Sequence, residues 1–428
     1  MALQTDSMKR HLVGIGGVGM SALATALLRQ GYTVTGADRS LDTPNIRFLK
    51  SIGIEIFPDD GSGIDEETAE VIVSTAIEES NMAIRRAREL QIPIVHRARA
   101  LSRALSHKRL VAVAGTCGKS TVTAMLGHIL TQCGLDPFCV NGANVPGWEG
   151  AVRFGVGEYA VAEVDESDKS LVEFSPYAAI ITNASADHFS KEEMDSVFDD
   201  LASKCSGPVI DGRNDLTSQS QLDEVETSMP GKHNRQNASL ALKMALALGC
   251  DEETARAALK TFGGVERRLQ RVFPKIETSQ NKTAIYDDYA HNPEKLCAMW
   301  TTLAEHYPEG VCVIWRPHGY APLRKMLLPL AEMFNKTIRP QDKLLLLPVY
   351  DAGGTTDRSI NSDNLLAELS ALSPCEESSA KAILVNSLDD AFNWCVANKG
   401  KFKCFTTCGA RDPGLPVLAQ KLADALTT

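Results

Sequence analysis

Lys119, Ser120 and Thr121 close the run Val111-Ala112-Val113-Ala114-Gly115-Thr116-Cys117-Gly118-Lys119-Ser120-Thr121. An apolar strand leads into a short glycine-containing turn, then a lysine and two hydroxyls, then a helical segment from Val122 to Thr131. Polyphosphate binding needs this combination. N–H groups of the turn and of the helix N-terminus converge on phosphate oxygens. The ammonium neutralises charge at the transferring end, and a hydroxyl ligates Mg²⁺. The turn departs from the general phosphate-loop pattern in that Val113 stands where the first glycine would be. Gly115, Thr116, Cys117, Gly118, Lys119, Ser120 and Thr121 are thus candidate contacts to a nucleoside triphosphate. Cys117 sits where a helix N-terminus lowers thiol pKa, although a small residue that fits a tight turn is the better reading.

Other chemistry-bearing residues fall just past apolar runs, where open α/β sheets bind ligands. Gly14-Ile15-Gly16-Gly17-Val18-Gly19 follows the first strand-like run, and Asp38 closes the next. That pattern holds a nucleotide diphosphate by close backbone approach, and on these residues alone an NAD-dependent oxidoreductase stays open. Glu163-Val164-Asp165-Glu166-Ser167-Asp168 and Asn183 to Asp187-His188 end two further runs. Ser120, Glu163 and His188 offer a hydroxyl, a carboxylate and an imidazole to a divalent ion against triphosphate oxygens. Asn234 and Asn237 open a helix, where Asn234 could equally be a cap. Arg268 follows a Gly-Gly pair, and Asp288 and His291 follow another strand-like run.

These residues need a scaffold of alternating strands and helices. The first hundred residues read as strands at 11–14, 33–37, 55–57, 71–74 and 93–95 with helices between them, and a basic helix at 96–105. A second block carries the phosphate loop, strands at 159–164 and 178–183, a polar stretch at 206–228 and helices at 234–248 and 254–261. A third block alternates strands at 284–287, 311–315, 344–349, 382–385 and 402–407 with helices at 323–334, 364–372, 388–397 and 415–425. The expected fold is α/β with three domains: Rossmann-like at 1–105, P-loop ATPase-like at 106–272 and Rossmann-like at 273–428. A net charge of −10 argues against nucleic acid as the main partner. Eleven scattered cysteines without a Cys-x-x-Cys pair point to reduced thiols and a cytoplasmic location. The uncharged run from His11 to Leu28 has the length of a membrane span, but its four glycines break it into a strand, a turn and a helix. No membrane partner is expected.

In order along the chain, Gly115-Thr116-x-Gly118-Lys119-Ser120-Thr121, Glu163, Asn183-x-x-x-Asp187-His188, His233-Asn234-x-x-Asn237, Arg268 and Asp288-Tyr289-Ala290-His291-Asn292-Pro293 resemble the Mur ligases. These are ATP-dependent amide-forming enzymes of peptidoglycan precursor synthesis. Gly14-x-Gly16-Gly17-x-Gly19-Met20-Ser21, Val73-Ser74-Thr75-Ala76-Ile77, and Pro317-His318-x-Tyr320 with Arg324 are similar to the branch that adds alanine to UDP-N-acetylmuramate.

The resemblance implies ATP and Mg²⁺ as cofactors, with Ser120, Glu163 and His188 on the metal and Lys119, Glu163, His188 and Arg268 catalytic. It places Asn234 and Asn237 near adenine, Arg268 near the phosphates and Asp288 on the ribose side. Gly14, Gly16, Gly17, Val18, Gly19, Met20, Ser21, Asp38, Ser74 and Thr75 would then hold the UDP-sugar. His291, His318, Tyr320 and Arg324 would serve the incoming small amino acid, with ATP between the second and third domains. The lactyl carboxylate attacks the γ-phosphate, and the amine of the amino acid attacks the resulting acyl phosphate. Gly319 and Pro322 stand where the alanine-adding branch commonly carries arginine, and the segment from His188 to His233 is short for an auxiliary sheet. A ligase that attaches a preformed tripeptide to the same sugar, and a paralogue acting elsewhere, are the rival readings. A dehydrogenase would leave Lys119, Glu163, His188 and the third domain without a purpose.

Overall fold

The computed structural model describes residues 8–165, 170–184, 191–214, 222, 224–274, 283–351, 353, 356–372 and 381–426. Their strands form three parallel or mostly parallel sheets with helices between the strands, the α/β class expected from the alternation. Two compact units result, Met1–Met229 with His233–Val265, and Pro230–Lys232 with Glu266–Thr428.

The first sheet has the order β3-β2-β1-β4-β5, all pairs parallel. Its strands are β1 Lys9–Val13, β2 Val34–Asp38, β3 Glu55–Pro58, β4 Thr68–Val73 and β5 Ile94–His96. Helices α1 Val18–Arg29, α2 Pro44–Ser51, α3 Met82–Glu89 and α4 Arg97–Leu105 connect them. Chain order turns outward in both directions from β1, which makes the β1 end the switch point where ligands bind. The Thr43 hydroxyl accepts from Ile46 N–H (3.2 Å) with Pro44 in the first turn, and the Asn81 side chain accepts from Ala83 N–H (2.8 Å). These caps fix where the two helices start. The span-length run from His11 to Leu28 resolves into β1, the glycine turn and α1. No helix among the described residues is long and apolar enough to cross a membrane.

In the second sheet the order is β11-β10-β6-β9-β7-β8. The strands are β6 Arg109–Ala114, β7 Phe138–Val140, β8 Val152–Arg153, β9 Tyr159–Glu163, β10 Ala178–Ile181 and β11 Val209–Asp211. Only β8, at the edge, runs antiparallel. Helices α5 Lys119–Gln132, α6 Lys191–Ser203, α7 Lys232–Ala247 and α8 Glu252–Thr261 accompany it. β6 and β10 are buried almost throughout, as strands covered on both faces are. Between His188 and His233, the described residues include α6, β11, the 3₁₀ turn Gly212–Asn214 and the start of α7 at Lys232.

Sequence alone separates these two sheets, yet they share one core. Leu12, Leu23, Leu27 and Leu101 pack in the same cluster as Ala112, Phe138, Phe174 and Phe198. Each fully buried large side chain of this kind contributes about 1.5–3 kcal/mol. Arg29 spans the junction with two bonds to the Glu149 carboxylate (2.6 and 2.8 Å).

The third sheet, in the second unit, runs β12-β13-β17-β14-β15-β16. It comprises β12 Gln270–Val272, β13 Ala284–Asp288, β14 Val311–Trp315, β15 Lys343–Leu346, β16 Ala382–Leu384 and β17 Cys404–Cys408, with only the edge strand β12 antiparallel. Helices α9 Pro293–His306, α10 Tyr320–Thr337, α11 Ser362–Leu372, α12 Leu388–Ala397 and α13 Gly414–Leu426 complete it. Asp342, fully buried, knits the base of this sheet. It accepts from Trp300 Nε1 (3.0 Å), Val311 N–H (3.0 Å) and the Arg339 guanidinium (2.8 Å). The described cysteines are all free thiols.

Candidate active site

β6 lies between β10 and β9, so the phosphate loop emerges between the ends of both neighbours. The loop is stitched to the end of β10. Cys117 N–H donates to Asn183 Oδ1 (3.0 Å), and Cys117 O accepts from Asn183 Nδ2 (2.9 Å) and the Thr182 hydroxyl (2.6 Å). Gly115 and Gly118 have φ of +123° and +86°, a region that favours glycine. A Cβ on Gly115 would lie 2.1 Å from Thr182 Oγ1, and one on Gly118 would lie 2.5 Å from Asn237 Oδ1. Gly118 is the N-cap of α5 and sets no side chain over the helix N-terminus, which is where a phosphate binds. Lys119 Nζ donates to Gly115 O (2.7 Å), folded over the loop that a phosphate would fill. Ser120, Thr121 and Thr116 are buried.

On the other side of β6, Glu163 is in register with Val113, and its Oε2 accepts from Gly142 N–H (2.9 Å). This fixes a carboxylate at the mouth of the loop. A hydroxyl and a carboxylate are hard oxygen donors of the type Mg²⁺ takes, so Ser120 and Glu163 fit the ion. Among the described residues no group of three or more His, Cys, Asp or Glu could hold a metal. His188, the third expected ligand, lies outside the described residues, as do Asp187, Glu166, Ser167 and Asp168. Asn234 and Asn237 are buried on α7, with Asn237 Nδ2 directed to Asn234 Oδ1 (3.4 Å) and its own oxygen against Gly118. That puts Asn237 beside the phosphate loop.

In the first sheet the glycine turn meets the ends of β2 and β4. Asp38 Oδ2 accepts from Gly16 N–H (2.9 Å), while its Oδ1 accepts from Ser40 N–H (3.0 Å). Asn45 Nδ2 donates to Gly16 O (2.8 Å). The Ser74-Thr75-Ala76-Ile77 turn closes on the same place, with Ile77 Cδ1 3.3 Å from where a Cβ on Gly14 would be. Gly17 caps α1, and Val18 at its start is exposed. Met20 instead packs in the core, and the Ser21 hydroxyl turns back to Val18 O (2.9 Å), so these two contribute backbone and packing. Arg97, outside any motif, adds a cation: its Nη1 lies 3.1 Å from where a Cβ on Gly19 would be.

In the third sheet, the adjacent ends of β13, β17 and β14 bring together the loops after Asp288, Cys408 and Trp315. Both Asp288 oxygens are engaged by backbone, Oδ2 by Leu269 N–H (2.6 Å) and Oδ1 by Ala290 N–H (2.7 Å). The carboxylate thereby latches the Arg267–Leu269 turn to the strand end. Asp287 pairs with Arg267 (2.9 Å) and accepts from the Thr407 hydroxyl (2.6 Å), yet burial outweighs the arginine and pushes it up to about 6. Arg268 lies over the Tyr289 ring, 5.4 Å from its centroid.

His291 and His318 meet edge to face with ring centroids 4.9 Å apart. Burial lowers both to about 4, reinforced chiefly by Lys295 at His291 and by Arg411 at His318, so both rings are neutral at pH 7. Tyr320 starts α10 under the Arg358 guanidinium (5.8 Å to the ring centroid). Arg324 is occupied by Asp357 (2.8 Å) and the Ser359 hydroxyl (3.1 Å).

A family model described as Mur ligase family, catalytic domain, matches residues 9–109. The UDP-N-acetylmuramate–L-alanine ligase of Methylobacterium radiotolerans is 32% identical, in an alignment spanning 84% of this chain and 86% of that protein. The chain belongs to the Mur ligase family. A crystal structure of the UDP-N-acetylmuramate–alanine ligase of Thermotoga maritima is similar over 97% of this chain and 98% of that one, at 26% identity and a TM-score of 0.79. A murein peptide ligase of Psychrobacter arcticus shares the fold over 98% of this chain and 99% of that one, at 20% identity and a TM-score of 0.63. The glycine fingerprint thus belongs to a Mur ligase. Asn183 carries no local sign of its task, and Thr182, Gly142, Arg97 and Arg411 reach these sites from other strands of the same sheets.

Proposed function

We propose that this chain joins L-alanine to the lactyl carboxylate of UDP-N-acetylmuramate, with ATP converted to ADP and phosphate by way of an acyl phosphate. The observation that carries this reading is the phosphate loop clamped at Cys117, with Lys119 above it and Glu163 fixed at the adjoining strand end. Its membership of the family and the names of its relatives give the reading its substrates. The first sheet would hold the UDP-sugar at Gly14–Gly19, Asp38 and Ser74–Ile77, and the second sheet the triphosphate.

In the first step the lactyl oxygen attacks the γ-phosphorus and ADP leaves, giving an acyl phosphate. Lys119 moves from Gly115 O onto the transferring phosphoryl oxygens and offsets their charge. Ser120 and Glu163, with His188, would hold Mg²⁺, which supplies Lewis-acid stabilisation of the same oxygens when bound. In the second step the alanine amine attacks the acyl carbon, and phosphate leaves from the tetrahedral intermediate. Neutral imidazoles at His291 and His318 suit a site that must receive an unprotonated amine. The free thiols support a cytoplasmic location.

Gly319 and Pro322, which remove two side chains expected in the alanine-adding branch, favour a second reading in which the acceptor is a tripeptide. Phosphate release with Mg-ATP and UDP-N-acetylmuramate, screened over single L-amino acids and the wall tripeptide with mass detection, separates them. The expected product is the sugar nucleotide carrying one L-alanine. Release with the tripeptide alone would move the chain to the second reading, and no release with any acceptor would refute both.

A further inference from the structure

Arg411 leaves the end of β17, the strand between those that deliver His291 and His318. It sits at φ +67° in the middle of a three-residue turn closed by Asp412 N–H on Ala410 O (2.9 Å). Such a turn with positive φ is rare and strained for a residue with a side chain. The turn is held from behind. Asp412 is buried, receives Arg316 Nη1 (2.7 Å) and accepts from Gly414 N–H (2.8 Å). The backbone is therefore anchored while the Arg411 side chain is exposed.

The guanidinium has no hydrogen-bond or ion-pair partner among the described residues. Arg267, Arg316, Arg324, Arg339 and Arg358 of the same unit each pair with a carboxylate. Arg411 Nη1 lies 4.0 Å from where a Cβ on Gly319 would be, so the guanidinium occupies space beside a position that has no side chain. Gly319 has extended backbone (φ 160°), and a Cβ there would meet only Pro322 Cδ at 3.4 Å, Pro322 Cγ at 3.7 Å and this guanidinium. Nothing in that backbone demands glycine. The two rings beside it are neutral, and α10 points its N-terminus from the same spot.

We propose that Arg411 binds the α-carboxylate of the incoming amino acid, supplying from the end of β17 the cation that Gly319 cannot supply from the end of β14. This rests on the ligase reading above. A guanidinium matches a carboxylate with two parallel N–H donors. A residue at a strained φ, with its backbone pinned and its donors unspent, is built to present those donors. The acceptor carboxylate also accounts for a cation in the same loop cluster as two imidazoles that stay uncharged.

The test compares wild type, Arg411→Gly and the exchange Gly319→Arg/Arg411→Gly. Glycine takes φ +67° without strain, so Arg411→Gly should melt no lower than wild type. Its KM for L-alanine should rise tenfold to a hundredfold, with the KM values for ATP and UDP-N-acetylmuramate within twofold. The exchange, which returns a guanidinium to the same space, should recover most of that loss. By NMR the His318 imidazole should titrate higher in Arg411→Gly, since a nearby positive charge is gone. An unchanged L-alanine KM, or a rise in the ATP KM instead, would overturn the assignment. So would a lowered melting temperature with all three KM values raised alike, because that is what a structural role predicts. If wild type itself ligates no amino acid, the ligase reading has failed before any variant is made. If wild type ligates L-alanine and Arg411→Gly matches it, only the Arg411 assignment has failed.

Discussion

Asn183 does two jobs with one amide at the phosphate loop. Its oxygen takes the Cys117 N–H and its nitrogen holds the Cys117 carbonyl, which keeps that carbonyl turned away from the loop interior. Phosphate binding needs N–H groups inward and C=O groups outward, so the amide sets the polarity of the loop. Asn183→Ala removes both bonds and leaves the Cys117 carbonyl to the Thr182 hydroxyl, at a cost of about 1–3 kcal/mol, and should raise the KM for ATP roughly tenfold through loop disorder. Asn183→Asp is the sharper variant. It keeps the acceptor for Cys117 N–H, loses the donor and adds a negative charge beside the triphosphate. Nucleotide titration should find aspartate worse than alanine; if aspartate binds ATP as well as asparagine does, the amide donor is not what orients the loop.

At the scale of elements, each site is a set of neighbouring strand ends. Sequence could find the strands, because apolar runs between turns and capped helices carry their own signal: the runs expected at 159–164 and 311–315 are β9 and β14 within a residue. It could also find Gly115–Thr121, where loop and helix are contiguous. Side-by-side order is another matter. That β17 stands between β13 and β14 depends on packing over more than a hundred residues, so Arg411 carries no local mark of its place beside His318. Gly142 is likewise remote in sequence from the Glu163 it orients. Short edge pieces were also hidden: β11 falls in a polar stretch, and β12 is three residues of antiparallel edge. The shared core of the first two sheets is invisible for the same reason. Their ligand ends are nonetheless separate elements, the glycine turn being held by Asp38 and the phosphate loop by Thr182 and Asn183. Lys119→Ala should therefore reduce ligation at least about a hundredfold, while calorimetry finds UDP-N-acetylmuramate affinity within twofold of wild type. Equal loss of both would mean that the sugar nucleotide does not bind at the first sheet.

For the molecule as a whole, buried imidazoles set a weakness to acid that differs between the two units. His11 and His233 in the first unit are lowered to about 4 by burial, and His107 and His128 are lowered by the same cause. An unfolded histidine takes up its proton near 6.5, while these folded ones stay neutral to much lower pH. Their contribution to stability is complete above 6.5 and is lost as pH falls from 6.5 toward 4. Between pH 7.5 and 5, His11 and His233 would each remove on the order of 2 kcal/mol. The second unit has His291 and His318 acting the same way, but Asp287 opposes them. With its folded pKa raised to about 6, its carboxylate is costly at neutral pH, and that cost is relieved as pH falls from 6 to 3.8. Asp288, raised by burial, works in the same direction. Carboxylates that are lowered, Asp65 by Lys9 and Asp136 by the Val156 N–H and then Arg153, respond only below this window. Three of the four tryptophans, including the buried Trp300 and Trp315, lie in the second unit. Tryptophan emission therefore follows that unit, and far-UV circular dichroism follows both. Urea transitions at pH 7.5 and 5 should show the dichroism midpoint falling further than the emission midpoint. An emission midpoint that falls as far or further would mean that Asp287 does not hold its proton at pH 5, and that Arg267 outweighs burial after all.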